Sequence, residues 1–559
     1  MSSQAECGGL FMKRSVAIAV ASLVCVNTAF PQGRPLDWPS YGGDARRSGW
    51  ERSDTRITKD NIKDFTLVLK RKFDKQPAGS RTLTPPVIIG LLISYKGFKE
   101  LGFVAGSAGG LWSIDVDIDR MFWQKQLPLA KAGSGICADG ATVMPTLTPP
   151  TTFGRRPAAR PPVTPPGTPV SPGQPPTPAG QTAALPARLG GTGFGAPRPV
   201  YMVTSDGKLH QFNTSDGSDQ YPALNFLPAN AKATPLAMSD NVIYTATIGG
   251  CGGAPNAVWG IDLALEEPTV ASFPLTGGQA GGIGGLAVGN DGTVYVQTGP
   301  GTADAGAGKY ANTLLALSMK DLKLRDHFVV SDDMKGPADI NVTTPVVFEF
   351  SGRDLIVSAG RDGRLYLLDS KSLGGSDHKT PLYKTPVVTS AGSGDRGIWG
   401  GISTWEDADG VRWIAAPVWG PVNAELKAPI TNGATPNGAI VAFKVEEQAG
   451  KPVLTPAWVS RDMRSPQPPV ITADVVFAVA AGGYSRQGSD LRPNNSAPAT
   501  MYAFDGATGK EMYSTGNQVT APANLTGMTL ANGRVFFTTT DGTLYGFGIF
   551  LETFEPQKK

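Results

Sequence analysis

The sequence is poor in the residues from which many polar active sites are built. Its 559 residues include three histidines and four cysteines, and only 17% are Asp, Glu, Lys or Arg. Three histidines leave little material for a multi-histidine metal site. No Gly-x-Ser-x-Gly nucleophile motif, Walker phosphate loop, zinc-type histidine pair or Cys-x-x-Cys pair occurs. The sequence therefore argues against the enzyme classes that these motifs mark. His210 lies in a predicted blade strand, and His327 and His378 lie beside loops with no partner evident in the sequence, so we expect all three to be satisfied structural histidines.

An excess of one charge sign and a membrane-length apolar run are also lacking. The formal net charge is +3, with acidic and basic residues mixed along the chain, so no nucleic acid or anionic membrane is indicated as a partner. The apolar run at residues 15–26 follows Met12-Lys13-Arg14 and is too short to span a membrane comfortably. It is typical of a secretory signal. We expect residues 1–33 to be a signal peptide and N-terminal extension, and the mature protein to be a periplasmic or secreted monomer with no membrane span.

Glycine and proline, by contrast, are abundant, at 70 and 47 residues, which suits a turn-rich β protein. Residues 500–513 contain a short apolar run, an Asp-Gly-x-x-Gly turn and a second β run, which together predict a hairpin. The same apolar signature begins at residues 111, 209, 258, 314, 365, 440, 501 and 544. Eight copies near a 40–50-residue period predict an all-β, eight-bladed propeller of four-stranded antiparallel blades over residues 34–559.

A proline-rich insert interrupts this repeat. Thirteen prolines lie between Pro145 and Pro178, a density that no sheet ladder accepts because proline lacks the backbone donor. We expect a disordered insert at about residues 146–196 within one blade, which explains the longest step between copies. It is either a surface loop or a tether to the cell wall or a partner.

Two cysteines remain after the predicted signal, since Cys7 and Cys25 lie before or inside it. Cys137 and Cys251 form an even pair in an oxidising compartment, and both are expected just before consecutive blades, near the axis. We predict a disulfide between them. The alternative is two separate buried thiols.

The repeat unit also resembles a known family. The pattern VYV…DGxLYAxDxxTGxxxW, found at residues 198–212, 354–370 and 501–513, is similar to the blade repeat of the pyrroloquinoline quinone (PQQ) propellers. That superfamily includes the quinoprotein alcohol and glucose dehydrogenases and an outer-membrane assembly scaffold. Residues 37–44 and 57–62 are similar to the opening segment of the dehydrogenases. The resemblance covers nearly the whole chain after about residue 37, but function depends on the site rather than on the fold.

The resemblance implies particular site residues. In the dehydrogenases PQQ lies on the propeller axis between a tryptophan and a disulfide of adjacent cysteines, and beside a calcium ion. Residues 338–347 resemble the segment of the catalytic aspartate, which falls on Asp339, and residues 358–366 resemble the segment of the quinone-facing basic residue, which falls on Arg361. Residues 398–401 resemble a segment with an axis-facing, cofactor-binding tryptophan, here Trp399. The alternative for Asp339 is an exposed turn residue, for Arg361 a charged residue in a surface turn, and for Trp399 a tryptophan of the core.

Other parts of the family's site are missing from the matching positions. The adjacent cysteine pair is replaced by Ile136-Cys137-Ala138, and the calcium-binding glutamate by residues 250–256, which contain no acid. The asparagine ligand matches Pro300, and the stacking tryptophan falls near residues 282–284, which contain no aromatic. A hard cation needs several oxygen ligands, and a planar quinone gains from an aromatic floor. We therefore expect a degenerate PQQ and Ca²⁺ site and no protein-bound metal.

These observations favour an exported binding or interaction propeller with an unknown ligand or protein at its axis. The alternative is a divergent PQQ-dependent dehydrogenase oxidising an alcohol or sugar, with Asp339 as base and Arg361 on the quinone. It would need an external electron acceptor, because no Cys-x-x-Cys-His haem motif is present. An outer-membrane assembly scaffold is a third alternative, which the poor lipoprotein box around Cys25 disfavours.

Overall fold

The computed structural model describes residues 37–74, 79–94, 97–130, 137, 144–149, 198–330, 342–389, 395–487, 490–494 and 496–549. All of them belong to the unit Pro35–Lys559. They form eight antiparallel blades, which confirms the predicted propeller. No helix in this part of the chain is long and apolar enough to cross a membrane.

The first half of the ring consists of four blades, preceded by a strand that belongs to the last blade. Blade 2 is split by the proline-rich interval, and blade 4 carries a two-stranded hairpin between its second and third strands. The strands are β1 Phe65–Lys72; in blade 1, β2 Val87–Ser94, β3 Gly97–Ala105, β4 Gly110–Asp115 and β5 Arg120–Gln126; in blade 2, β6 Thr146–Leu147, β7 Val200–Val203, β8 Lys208–Phe212 and β9 Leu224–Asn225; in blade 3, β10 Lys232–Ala233, β11 Ala237–Ser239, β12 Val242–Ile248, β13 Ala257–Asp262 and β14 Thr269–Pro274; in blade 4, β15 Leu286–Val288, β16 Val294–Gln297, β17 Ala303–Asp304, β18 Lys309–Tyr310, β19 Thr313–Leu317 and β20 Leu324–Val329.

The second half repeats the plan with two elaborations. Blade 6 adds a short parallel strand outside its last strand, and blade 7 carries a hairpin of its own. The strands are, in blade 5, β21 Val346–Phe350, β22 Arg353–Ala359, β23 Leu365–Asp369 and β24 Tyr383–Lys384; in blade 6, β25 Gly397–Ile398, β26 Ser403–Glu406, β27 Arg412–Trp419, β28 Ile430–Thr431, β29 Gly438–Gln448 and β30 Lys451–Val459; in blade 7, β31 Val470–Thr472, β32 Val475–Ala480, β33 Tyr484–Gln487, β34 Asp490–Pro493, β35 Thr500–Asp505 and β36 Glu511–Ser514; in blade 8, β37 Thr529–Ala531, β38 Arg534–Thr538 and β39 Thr543–Ile549. Five 3₁₀ turns accompany them: Ile62–Asp64, Cys251–Gly253, Ala305–Ala307, Gly375–Asp377 and Ala424–Leu426.

Each of the eight apolar copies predicted from the sequence lies in the third strand of a blade, from β4 to β39. These strands are buried on both faces, because neighbouring blades pack face to face. In β35 the copy at Met501 is followed by the predicted hairpin partner β36, and the ladder is irregular between Ala503 and Phe504. The repeat thus marks the structural centre of every blade.

The ring is closed by joining the two ends of the described chain. β1 pairs antiparallel with β39, from Phe65 opposite Ile549 to Lys72 opposite Thr543. The N-terminal strand is therefore the outermost strand of blade 8, whose other three strands come from the C-terminal end. This pairing completes the four strands of blade 8 and joins the two ends of the described chain in one sheet.

Tryptophans in the outer strands of two blades form hydrogen bonds to the neighbouring blade. Trp458 in β30 is fully buried and donates its indole N–H to the Gly506 carbonyl at 2.8 Å. A Cβ on Gly509 would lie 2.3 Å from the Trp458 ring, so only glycine allows this close approach. Trp123 in β5 makes the same kind of bond to Thr214 in blade 2, at 3.0 Å. The glycine in the turn of the repeat thus leaves room for the tryptophan ring of the preceding blade to pack against the turn.

The predicted boundaries of the proline-rich insert need one correction. Thr146 and Leu147 form the first strand of blade 2, paired with Tyr201 and Val200. The expected start at residue 146 was wrong, because a two-residue inner strand fits between the flanking prolines. Residues 150–197 lie outside the described residues, as do residues 1–36 with the predicted signal.

Candidate functional site

The segment from residue 37 to residue 56, which we call the axial segment, contacts every one of the eight blades, at the inner strand or at a residue close to it. Its backbone hydrogen bonds join Trp38 to Ile88 in blade 1 and Glu51 to Ile471 in blade 7, at 2.8–2.9 Å. The intervening blades are contacted through Pro39, Ala45, Arg46, Arg47 and Ser48, and blade 8 through Asp54 and Arg56. The axial segment, which includes the family-like residues 37–44, therefore connects the blades of the ring to one another.

Tyr41 and Arg47 fill the centre of the axial segment. Tyr41 is buried against Gly284, Gly401 and Gly527, which come from three different blades, and burial raises its pKa well above the usual range. The Arg47 guanidinium donates to the Leu286 and Tyr41 carbonyls at 2.9 and 2.7 Å, and more distantly to those of Pro235 and Gly284. Burial lowers the Arg47 pKa to about 10, so the group stays charged at neutral pH. The side chain is a fixed structural cation rather than a titrating one.

A cavity lies beside this centre, where residues that precede or flank the inner strands of five neighbouring blades meet. Its volume is about 50 Å³. That space holds a few water molecules or one small polyatomic ion, since one water needs roughly 10–15 Å³ of such space. The lining residues are Arg81, Thr84, Met144, Lys232, Ala233, Thr234, Pro235, Ile248, Gly282, Ile283, Leu525 and Thr526. We call it the axis cavity.

The position that the resemblance assigns to the stacking tryptophan does line this cavity, as Gly282 and Ile283. Gly282 has φ of +75°, and a Cβ there would lie 2.0 Å from the Thr344 backbone nitrogen. No side chain fits at this position. Ile283 donates its backbone N–H to the Gly400 carbonyl at 2.9 Å and is 5% exposed. The floor of the cavity is therefore aliphatic and narrow.

The predicted disulfide is present in the structure, which joins Cys137 to Cys251 with their Cα atoms 5.4 Å apart. Cys251 lies in the 3₁₀ turn between β12 and β13, inside blade 3, and not just before a blade as expected. It follows Ile248 of the axis-cavity lining by three residues. The disulfide thus links the segment before blade 2 to blade 3 near the cavity. Its two sulfur atoms are bonded to each other and are not available as metal ligands.

The residues matching the family's asparagine ligand are committed to the sheet. The Thr298 hydroxyl bonds to the Thr313 carbonyl at 3.1 Å and to the Tyr310 carbonyl. Pro300 has no side-chain oxygen. Among the described residues that line the axis cavity, none is an aspartate or glutamate. This donor set does not fit Ca²⁺, which takes six to eight oxygen ligands, often from carboxylates.

The two predicted catalytic residues have different outcomes. Asp339 lies outside the described residues, so its role stays a prediction. Arg361 is 1% exposed, in the turn between β22 and β23. It is therefore not the exposed surface charge of the alternative interpretation, although it is not among the described residues that line the axis cavity.

Trp399 lies in the core beside the axial segment. It is 1% exposed, and its ring stacks on Trp419 at 4.8 Å with an angle of 18° between the planes. Trp419 in turn donates its indole N–H to the Pro466 carbonyl at 2.8 Å. The described surroundings of Trp399 are those of a core tryptophan. Contact between Trp399 and a cofactor stays a prediction.

A three-ring quinone does not fit the described axis cavity. Its volume of about 50 Å³ gives room for only a few water molecules. The floor lacks an aromatic ring, and the described lining lacks calcium ligands. The charged groups that remain, Arg81 and Lys232, are cations suited to an anion.

Sequence reasoning missed the partners of the histidines. His210 in β8 contacts Asp219 at 2.8 Å, and His378 contacts Asp326 at 3.0 Å. The His327 and His378 rings stack with their centres 4.0 Å apart, and burial together with the neighbouring His378 lowers the His327 pKa. The contact of His378 with Asp326 joins blades 4 and 5, so no local motif predicts it. The contact of His210 with Asp219 lies within blade 2.

Comparison with known proteins identifies the fold. No protein-family profile and no curated protein sequence matches the chain. The structure is similar to the quinohemoprotein alcohol dehydrogenase from Comamonas testosteroni, with a TM-score of 0.56 at 14% identity, over 94% of this chain and 82% of that one. A quinohemoprotein alcohol dehydrogenase from Pseudomonas putida HK5 gives 0.54 at 10% identity, over 94% and 82%. A europium-containing methanol dehydrogenase gives 0.53 at 12%, over 92% and 98%. The chain thus has the PQQ-type propeller fold that the repeat predicted.

Proposed function

We propose that this chain is an exported, non-catalytic binding propeller that takes a small anion in the axis cavity. The observation that supports this is that Arg81 and Lys232 both line the cavity, while its described lining residues include no carboxylate. A guanidinium presents a planar fork of N–H donors, and an ammonium adds a compact charge, so together they favour phosphate, sulfate or a carboxylate group.

The size of the axis cavity supports a small ligand. About 50 Å³ is room for a few water molecules or one oxyanion. The aliphatic neighbours Met144, Ile283 and Leu525 lower the local polarity and so strengthen the attraction between a bound anion and the two cations. The axial segment holds the surrounding strands in place, so little ordering is needed on binding.

The proposal is tested by thermal unfolding with inorganic phosphate against chloride at equal ionic strength. Phosphate should raise the melting temperature progressively with concentration, by a stabilisation of about 2.7 kcal/mol at one hundred times Kd. Arg81→Ala should weaken phosphate binding at least tenfold. Arg120→Ala is the matched control, because Arg120 lies exposed at the start of β5 in the same blade. Equal responses of the two variants would refute the proposal.

A divergent quinoprotein dehydrogenase is a second candidate, favoured by the burial of Arg361 and by the fold. In that case Asp339 would act as the base and Arg361 would bond the quinone oxygens. The candidate predicts dye-linked oxidation of an alcohol or sugar after incubation with PQQ and Ca²⁺, lost in Arg361→Ala. It fails if the loaded protein shows no oxidation while phosphate binding is intact.

A further inference from the structure

A cluster of two imidazoles and a carboxylate lies at the outer rim, away from the axis cavity. Asp326 and His327 are neighbours in β20, the outermost strand of blade 4, and His378 follows the 3₁₀ turn Gly375–Asp377 in blade 5. A ligand atom from each residue lies within 4.8 Å of those of the other two. Two of the protein's three histidines therefore meet at one junction between blades.

Backbone hydrogen bonds hold the two sides of the junction together. Val329 in β20 donates its N–H to the His378 carbonyl at 2.8 Å. Asp326 accepts the backbone N–H of Leu373 at 2.9 Å through one carboxylate oxygen, and that of His327 at 2.7 Å through the other. His378 itself has φ of 55°, a left-handed conformation that few non-glycine residues adopt. The loop of blade 5 is thus fixed so that the His378 ring lies over β20.

We propose that Asp326, His327 and His378 form a binding site for one late first-row divalent metal ion, of the Zn²⁺ type. Two neutral imidazoles and one carboxylate are a common ligand set for such ions, and water can fill the remaining position. Harder ions such as Ca²⁺ and Mg²⁺ prefer all-oxygen ligands and are not expected here. This site is independent of the anion site at the axis.

Metal binding requires one imidazole to turn. The two rings stack at 4.0 Å with 19° between their planes, and nearly parallel rings cannot both direct an in-plane lone pair at the same ion. The His378 side chain is 42% exposed, whereas His327 is packed against the Tyr310 ring at 5.8 Å. We therefore expect His378 to be the ligand that rotates, exchanging its contact with Asp326 for the metal.

The test is a Zn²⁺ titration of tag-free protein by calorimetry, together with NMR of the imidazole nitrogens. The chain has only three histidines, so three sets of imidazole signals are expected. One Zn²⁺ should bind per chain and shift two of the sets. The third should stay in place, because His210 lies in blade 2 with its own carboxylate partner.

The variants make the assignment specific. His378→Gln and His327→Ala should each weaken Zn²⁺ binding at least tenfold, and Asp326→Asn should weaken it less, since the amide keeps one oxygen. His210→Ala is the matched control and should bind as the unmodified chain does. His378→Gln changes a half-exposed loop residue, so it keeps the test valid if His327→Ala fails to fold. Absence of saturable binding up to millimolar Zn²⁺, or unchanged binding in His378→Gln, would overturn the proposal.

Discussion

Glu51 offers a quantitative test of how the axial segment is packed. Its side chain is buried, at 8% exposure for the residue, and its carboxylate accepts hydrogen bonds from the Ser53 N–H at 3.0 Å and hydroxyl at 3.4 Å. Burial, with a smaller contribution from the Asp54 charge, raises the Glu51 pKa from 4.5 to about 7. The substitution Glu51→Gln keeps the shape and one acceptor oxygen but cannot ionise.

The direction of the effect follows from proton linkage. Between about pH 4.5 and pH 7 the folded protein keeps a proton on Glu51 that the unfolded chain has lost. Glu51 therefore reduces the free energy of unfolding as the pH rises through this window. At about 1.4 kcal/mol per pKa unit, the rise to about 7 corresponds to a loss of about 3 kcal/mol.

Denaturant unfolding of both proteins at pH 4.5, 6 and 8 measures this loss. Glu51→Gln should match the unmodified protein near pH 4.5 and exceed its free energy of unfolding by up to about 3 kcal/mol at pH 8. Glu267→Gln, at an exposed site outside the axial segment, is the control and should leave the pH dependence unchanged. A Glu51→Gln variant that is less stable than the unmodified protein at pH 8 would refute the reasoning, because it would show that the charged form is the stabilised one.

Two further predictions concern the joints of the ring. Trp458→Ala should lower the free energy of unfolding by about 3–5 kcal/mol, because a buried ring is lost. Trp458→Phe should lower it by about 1–3 kcal/mol, because the Gly506 carbonyl loses its hydrogen-bond donor. Equal costs of the two variants in denaturant unfolding would contradict the role given to the indole N–H. Replacing Cys137 and Cys251 together by serine opens a covalent loop with a sequence separation of 114 residues and should cost about 2–4 kcal/mol under oxidising conditions. The difference should vanish when the unmodified protein is reduced, and a difference that persists would contradict the disulfide.

The fold could be predicted because each blade repeats the same local signals. Apolar runs such as Leu544–Phe547 are buried, and the Gly-containing turn before this run joins it to the preceding strand as a hairpin, so period and turn chemistry sufficed. The closing pair β1 and β39 could not be read from either strand alone, because its partners lie at opposite ends of the chain. The strand Thr146–Leu147 was not predicted, because it has only two residues and the prolines on both sides of it favour an irregular segment.

The site could be predicted only in part. The resemblance places the family's stacking tryptophan near residues 282–284, where this sequence has no aromatic, and two of these residues, Gly282 and Ile283, line the axis cavity. It gave no signal for Arg81 and Lys232, which line the same cavity although they belong to different blades. The contact between His327 and His378 was equally hidden, since the residues are 51 positions apart and belong to different blades. Such meetings depend on the tertiary arrangement and carry no motif.

The most direct test is a PQQ titration of the purified protein with and without Ca²⁺, followed by tryptophan fluorescence and dye-linked oxidation. The central claim is that the axis takes a small anion in place of a calcium-bound quinone. It predicts no Ca²⁺-dependent PQQ binding up to about millimolar, a limit of about −4 kcal/mol, and no oxidation of alcohols or sugars. Saturable micromolar PQQ binding that requires Ca²⁺ and is abolished by Arg361→Ala would contradict it.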